Sequence, residues 1–237
     1  MLDEWLHFFV LLLVVVDPVG LAPMYAGLSR HHSAEERRRM ANQATMLAAG
    51  ILLLFAMAGP GLLRLLGIGM PAFRMAGGLL LLLLAVDMVF ARQSGLRSTT
   101  LAEQDEARSR QDVSVFPLAF PLIAGPGALT IVLLTFGADV GRPWWYTGGL
   151  CMVILVVMAL TALALHLATP MVRLLGRTGT NVIDRLFGVL LAALAVQFMV
   201  DGWQALETPS PEATARQAHV ASHGLSSQGL FWMMLLD

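Results

Sequence analysis

The chain has 237 residues, 57% of them hydrophobic and 13% charged, with a mean hydropathy of +0.72. A soluble domain carries about 25% charged residues, so the composition excludes an ordinary water-soluble fold and points to a membrane protein. The formal net charge of −1 argues against a nucleic-acid partner, for which a basic stripe would be expected, and the lone Cys151 excludes an intrachain disulfide or thiolate metal site.

A membrane-crossing helix needs about 20 apolar residues. In chain order, apolar runs at 5–28, 43–66, 70–91, 113–136, 146–174 and 180–204 predict six of them. The runs are continuous rather than alternating, which favours helices over a barrel. A charged loop occupies 92–112, and a polar tail, 205–237, ends in "LFWMMLL", too short to cross. The first run lacks a basic n-region and a small-residue cleavage site, so it is expected to be retained as a span. All 15 basic residues are arginines. Ten lie in the first, third and fifth loops (Arg30, Arg37, Arg38 and Arg39; Arg92, Arg97, Arg108 and Arg110; Arg173 and Arg177), against four (Arg64, Arg74, Arg142 and Arg216) on the other side. That bias predicts cytoplasmic odd loops and both termini outside.

The first run is interrupted by "VVVDPVGLAPMY", Val14 to Tyr25, which places an acid, two prolines and a glycine inside a span. Proline removes a backbone donor, and glycine tolerates irregular backbone. Proline is also at home in the first turn of a helix, so Pro18 is expected to start a second half-helix. A carboxylate in mid-span costs a few kcal/mol to insert, which makes Asp17 a functional candidate.

The fourth run contains the counterpart, "PLIAGPGALT", in which Pro126 follows Pro18 by 108 residues. Pro60 and Pro170 are 110 apart, "LLG" at 65–67 and 174–176 is offset by 109, and "RMAG" at 74–77 matches "RLFG" at 185–188 at 111. The near-constant offset predicts a single membrane domain, 1–204, written as two three-helix repeats at about 1–91 and 113–204. An odd number of spans inverts the second copy, an architecture frequent among secondary transporters. Helices 1 and 4 are expected to be discontinuous. Their breaks should meet at a central pocket, since bare backbone cannot face lipid.

At these residues the sequence resembles the MarC family of bacterial and archaeal inner-membrane proteins, which includes neutral amino acid transporters. The D-P-x-G-x-x-P pattern matches Asp17, Pro18, Gly20 and Pro23, and P-L-x-x-G-P-G matches Pro121, Leu122, Gly125, Pro126 and Gly127. The third-helix pattern matches Arg74, Ala76, Gly77 and Gly78, then Ala85, Asp87 and Met88. The sixth-helix pattern matches Asn181, Val182, Ile183, Arg185 and Gly188, with Gln197 further on. The resemblance covers about 1–204 and implies six spans in two inverted halves, an inner (plasma) membrane location, where the arginine bias sets both termini in the periplasm, and transport of small neutral amino acids such as alanine or glycine.

The expected substrate-binding residues are Asp17, Pro18, Val19, Gly20, Pro23, Gly125, Pro126, Gly127, Thr130 and Gln197. Half-helix N-termini at Gly20 and Gly127 would receive the substrate carboxylate. Asp17 would hold the ammonium group, or a coupling proton or sodium ion, and movement of one half against the other would alternate access. Other candidates read more plainly. Asp87 and Asp201 suit span ends, His166 a packing position two turns from the inner end of the fifth helix, and Thr45 a pocket lining or a helix bridge. Gly77 and Gly78 suit close helix packing, Arg74 and Arg185 snorkelling, and His31 and His32 a solvated loop. No enzyme signature is present, neither a zinc helix, a nucleophile elbow nor a Walker loop, and no cofactor is implied. A non-transporting membrane scaffold or regulatory protein and a small-solute channel are the alternatives.

Overall fold

The structure, a computed structural model, describes residues 2–29, 32–90, 114–137 and 143–207. The charged loop and the polar tail beyond residue 207 therefore lie outside the described residues. Eight helical elements follow in order: α1 Leu2–Val16, α2 Pro18–Leu28, α3 Ala34–Leu65, α4 Met70–Phe90, α5 Ser114–Ile123, α6 Pro126–Gly137, α7 Trp144–His166 and α8 Ala168–Glu207. No strand occurs among the described residues. Five stretches are long and apolar enough to cross a membrane, α1 with α2 counting as one, and α5 with α6, bent by 56°, would make a sixth. Leucines such as Leu54, Leu79, Leu83 and Leu163 stand exposed on the outside of the bundle, as lipid contact requires.

Local sequence explains the boundaries. Ser33 and Glu36 form a reciprocal capping box that starts α3. The fifth span is shorter than the sequence predicts. A helix continuing past residue 166 would set the Pro170 ring against the His166 carbonyl, so α7 stops at His166 and α8 restarts at Ala168 with Pro170 in its first turn. His166 is accordingly the last residue of α7, not two turns inside it, and its Nδ1 lies 2.6 Å from the Ala162 carbonyl oxygen of its own helix. In α5, Phe116 and Phe120 are extended because each precedes a proline. The glycines of the two "LLG" segments both have positive φ, +70° at Gly67 just past α3 and +62° at Gly176, where α8 is kinked. An L side chain adopts that region rarely.

Packing runs across the chain's midpoint. α3 lies on α5, α6 and α7; α7 lies on α1, α2 and α3; α4 lies on α6 and α8; and α8 lies on α2 and α4. Among the described residues, every extensively packed helix pair joins one half to the other, and α7 and α8, both of the second half, touch only slightly. The α4–α8 contact is the most extensive, and glycines bring the backbones together. A methyl group at Gly78 would lie 2.8 Å from the Ala195 carbonyl oxygen, and one at Gly188 3.0 Å from the Val89 nitrogen. Gly202 would meet the Pro71 carbonyl oxygen at 2.9 Å. Small residues at such seams let helices approach where no hydrophobic driving force exists between them.

Candidate functional site

The first break is a single residue. Asp17 adopts the left-handed conformation, φ +47° and ψ +71°, and caps α2, with its Oδ1 accepting from the Gly20 N–H at 3.0 Å. Asparagine and aspartate are the side chains that tolerate this conformation best. Helical hydrogen bonding continues around it, from the Asp17 N–H to the Leu13 carbonyl and from the Leu21 N–H to the Asp17 carbonyl. The carboxylate is fully buried. The Gly20 donor that the sequence reading reserved for a substrate is thus already held by Asp17. Sequence reasoning missed a second acid at this point. A methyl group at Gly20 would sit 2.4 Å from Asp17 Oδ2 and 2.6 Å from Asp184 Oδ1, so the two carboxylates flank one spot. Asp184 comes from α8, in "NVIDR", and the rule that ionisable residues within spans are rarely idle would have found it.

The second break is wider and bare. The bend between α5 and α6 centres on Gly125, where a methyl group would lie 2.4 Å from the Pro121 carbonyl oxygen. Pro126 opens α6, and Gly125 before it has no side chain with which to cap the new N-terminus. The two breaks meet. A methyl group at Gly127 would be 2.9 Å from Val15 Cγ1, two residues before Asp17, and 3.1 Å from Leu81 and Leu84. Between them lies a void of about 20 Å³, lined by Val15, Leu84, Pro121 and the residues from Gly125 to Ala128. That is room for about one water molecule.

The sequence profile of the MarC family integral membrane proteins matches residues 2–206. The chain belongs to the MarC family. A UPF0056 membrane protein of Aquifex aeolicus is 38% identical over 196 residues, 82% of this chain and 89% of the relative. YhcE of Escherichia coli is 35% identical over 201 residues, 84% and 91% of the two chains. YvbG of Bacillus subtilis is 33% identical over 190 residues, 80% and 89%. Their names describe UPF0056 membrane proteins and specify no substrate. No solved structure matches.

Within this MarC-family chain, the predicted residues divide. Asp17, Pro18, Gly20, Gly125 and Gly127 are buried at the two breaks, with Val19 and Pro126 half-buried beside them and Pro23 half-buried inside α2. Thr130 is buried in α6, but its hydroxyl donates to the Pro126 carbonyl at 2.8 Å and its methyl packs on Gly77. Gln197 does not join them. Its side chain is exposed on α8, where Nε2 donates to Asp201 Oδ1 at 2.7 Å. Thr45 is buried and donates to its own helix, at Ala41. Asp87, expected at an interface, lies in the last turn of α4 yet is only 8% exposed.

The two ends of the MarC-family bundle differ. Where α1 begins and α8 ends, a cavity of about 490 Å³ opens, its walls carrying Asp3, Glu4 and His7 of α1, Arg74 of α4, Tyr146 of α7 and Asp201 of α8. Its apolar lining comes from Phe8, Leu11, Leu134 and Phe198. Trp5 and Trp145 pack against Tyr146 with ring centroids 6.1 and 6.4 Å away. At the opposite end the helices are tied together. The Tyr25 hydroxyl donates to the Arg37 carbonyl, and Arg37 Nη1 donates to Thr169 Oγ1 at 3.2 Å, joining α2, α3 and α8. No cluster of three or more potential metal ligands occurs among the described residues.

Proposed function

We propose that this protein is a secondary transporter of small neutral amino acids, built as two inverted repeats and working by alternating access about its two helix breaks. The observation that carries this reading is the contact of the two breaks at Val15 and Gly127, with unlike chemistry on either side. At one break stand the carboxylates of Asp17 and Asp184 beside Gly20. At the other, α6 begins at Pro126 after Gly125, which has no side chain to cap it, and the partial positive charge of a helix N-terminus suits an anion. The breaks match the two charges of a zwitterion, its ammonium toward the acids and its carboxylate toward the Gly127 and Ala128 N–H groups, and the water-sized void between them has to widen to admit one. Asp17, with Asp184, is also the place for a coupling proton or sodium ion.

The repeat has support beyond the sequence offsets. α3 lies on the broken α5–α6 as α7 lies on α1–α2, and α6–α4 contact is mirrored by α2–α8. The matched glycines Gly67 and Gly176 share positive φ. One expectation changes. Nearly all packing joins the two halves, which favours a moving unit that draws on both of them over a single repeat. The α4–α8 pair, sealed by Gly78, Gly188 and Gly202, is the natural rigid body, resting on α2 and α6 where the breaks are. The ten-to-four arginine bias supports cytoplasmic placement of the Arg37 end and periplasmic placement of the vestibule in an inner membrane.

The test is uptake of labelled alanine and glycine into proteoliposomes of the full chain, with imposed proton or sodium gradients. Saturable accumulation against the substrate gradient is expected. Equilibration without concentration would replace the transporter with a channel, and no flux at all would leave a scaffold.

A further inference from the structure

The 490 Å³ vestibule is distinct from the void at the breaks, and both lie on one seam. α1 supplies Phe8 and Leu11 to the vestibule and Val15 to the void, while α6 supplies Leu134 to the vestibule and Gly127 to the void. From Phe8 to Val15 and from Leu134 to Gly127 is seven residues along each helix, or about 10 Å at the helical rise. The vestibule therefore stands over the breaks, closed off from them in this conformation by packed side chains. Phe8 and Phe136 bridge the seam edge to face, with ring centroids 6.2 Å apart.

The chemistry of its walls is mixed in sign. Arg74 enters from α4, the fork of donors that suits a carboxylate. Asp201 enters from α8 and is held by Gln197. A volume of about 490 Å³ falls in the range of small-ligand pockets, and the lining by Phe8, Leu11, Leu134 and Phe198 offers an apolar wall to a small side chain. An inorganic ion needs only one sign of partner and no apolar wall. A zwitterion with a short apolar group uses all three.

We propose that the vestibule is a second, outer binding site for small zwitterionic amino acids, with Arg74 taking the carboxylate and Asp201 the ammonium. Gln197, exposed and away from the breaks, is a positioning residue that presents Asp201 to this site. The proposal rests on the transport reading for its purpose, but its chemistry can be tested apart from transport.

The experiment measures binding to the purified full chain in detergent, following tryptophan fluorescence, since Trp5 and Trp145 flank Tyr146 on the vestibule wall. The background is Gly127→Leu, which fills the contact with Val15 and blocks the inner site. In that background alanine should still bind, and propionate and alaninamide, each lacking one charge, should bind roughly tenfold more weakly. Arg74→Gln and, separately, Asp201→Asn should each weaken alanine binding by a similar factor, with Arg74→Lys recovering part of it. Size-exclusion profiles matching wild type confirm that each variant folds, and either one suffices. Alanine binding in Gly127→Leu that ignores both substitutions, or no binding there while wild type transports alanine, overturns the vestibule site and leaves the transporter standing. Charge-dependent binding in a protein that moves no amino acid keeps the site and removes transport.

Discussion

Asp184 of α8 and Asp17 at the head of α2 converge on the same point beside Gly20, within 2.6 and 2.4 Å of where a methyl group would be. Two acids facing one spot in the span region form a joint feature, so their substitutions should not add. Asp17→Asn keeps an N-cap acceptor and should insert and fold, yet fail to accumulate alanine. Asp184→Asn should do the same, and the double variant should be no worse than either single one. Asp17→Ala should in addition lose the cap, about 0.5–2 kcal/mol, seen as a lower melting temperature in detergent. Unchanged accumulation in Asp17→Asn would make that residue purely structural.

Gly127 and Val15 give a test with a built-in rescue. Gly127→Ala places a methyl group 2.9 Å from Val15 Cγ1, closer than packing permits, and should slow transport several-fold. Adding Val15→Ala removes that neighbour and should restore much of the rate. A double variant as slow as Gly127→Ala would mean that the two breaks do not act across this contact.

The glycines divide by what surrounds them. Gly78→Ala would press on the Ala195 carbonyl oxygen at 2.8 Å, and backbone cannot step aside as a side chain can, so a loss of roughly 1–3 kcal/mol is expected. Gly50 in α3 has nothing within 4 Å, so Gly50→Ala should stabilise by up to about 1 kcal/mol through helix propensity. Thermal unfolding followed by circular dichroism separates them. Equal melting temperatures for the two variants would contradict the tight α4–α8 seam.

Ser33 precedes α3 and Leu66 follows it, so they lie at opposite ends of one span. In a Cys151→Ser background, Ser33→Cys should react with an impermeant thiol reagent only from the cytoplasmic side, and Leu66→Cys only from the periplasmic side. Labelling of both from one side would remove the crossing by α3.

Much of this was legible in the sequence, and the limits have physical causes. Continuous apolar runs located the spans because lipid demands them. Pro18 and Pro126 marked the starts of α2 and α6 because proline suits a first turn. What depended on distant partners was not legible. Asp184 lies far along the chain from Asp17 and reads locally as one charge beside Arg185. That Asp17 caps its own helix is a matter of a left-handed φ, which no periodicity reports. Gln197 is deep in its span by position, but one residue turns a helical side chain by 100°, and its face proved to be the exposed one. Pro170 carried a readable signal, since a proline so late in a predicted span marks a restart as readily as a kink.

The packing of helices across the midpoint of the chain bears on how the protein is made. As synthesis proceeds, α1 to α4 enter the bilayer first, and almost every surface they are shaped to fit belongs to helices not yet translated. Gly77 and Gly78, whose close neighbours are Thr130 of α6 and Met199 of α8, then face lipid or water, and the Asp17 carboxylate, buried in the finished fold, waits for the helices that cover it. The newborn first half is an unfinished surface rather than a small folded protein, and it has no native resting state until the second half arrives. Expressed alone, either half should be degraded or held by insertion factors. Expressed together as two fragments, they should find each other and assemble.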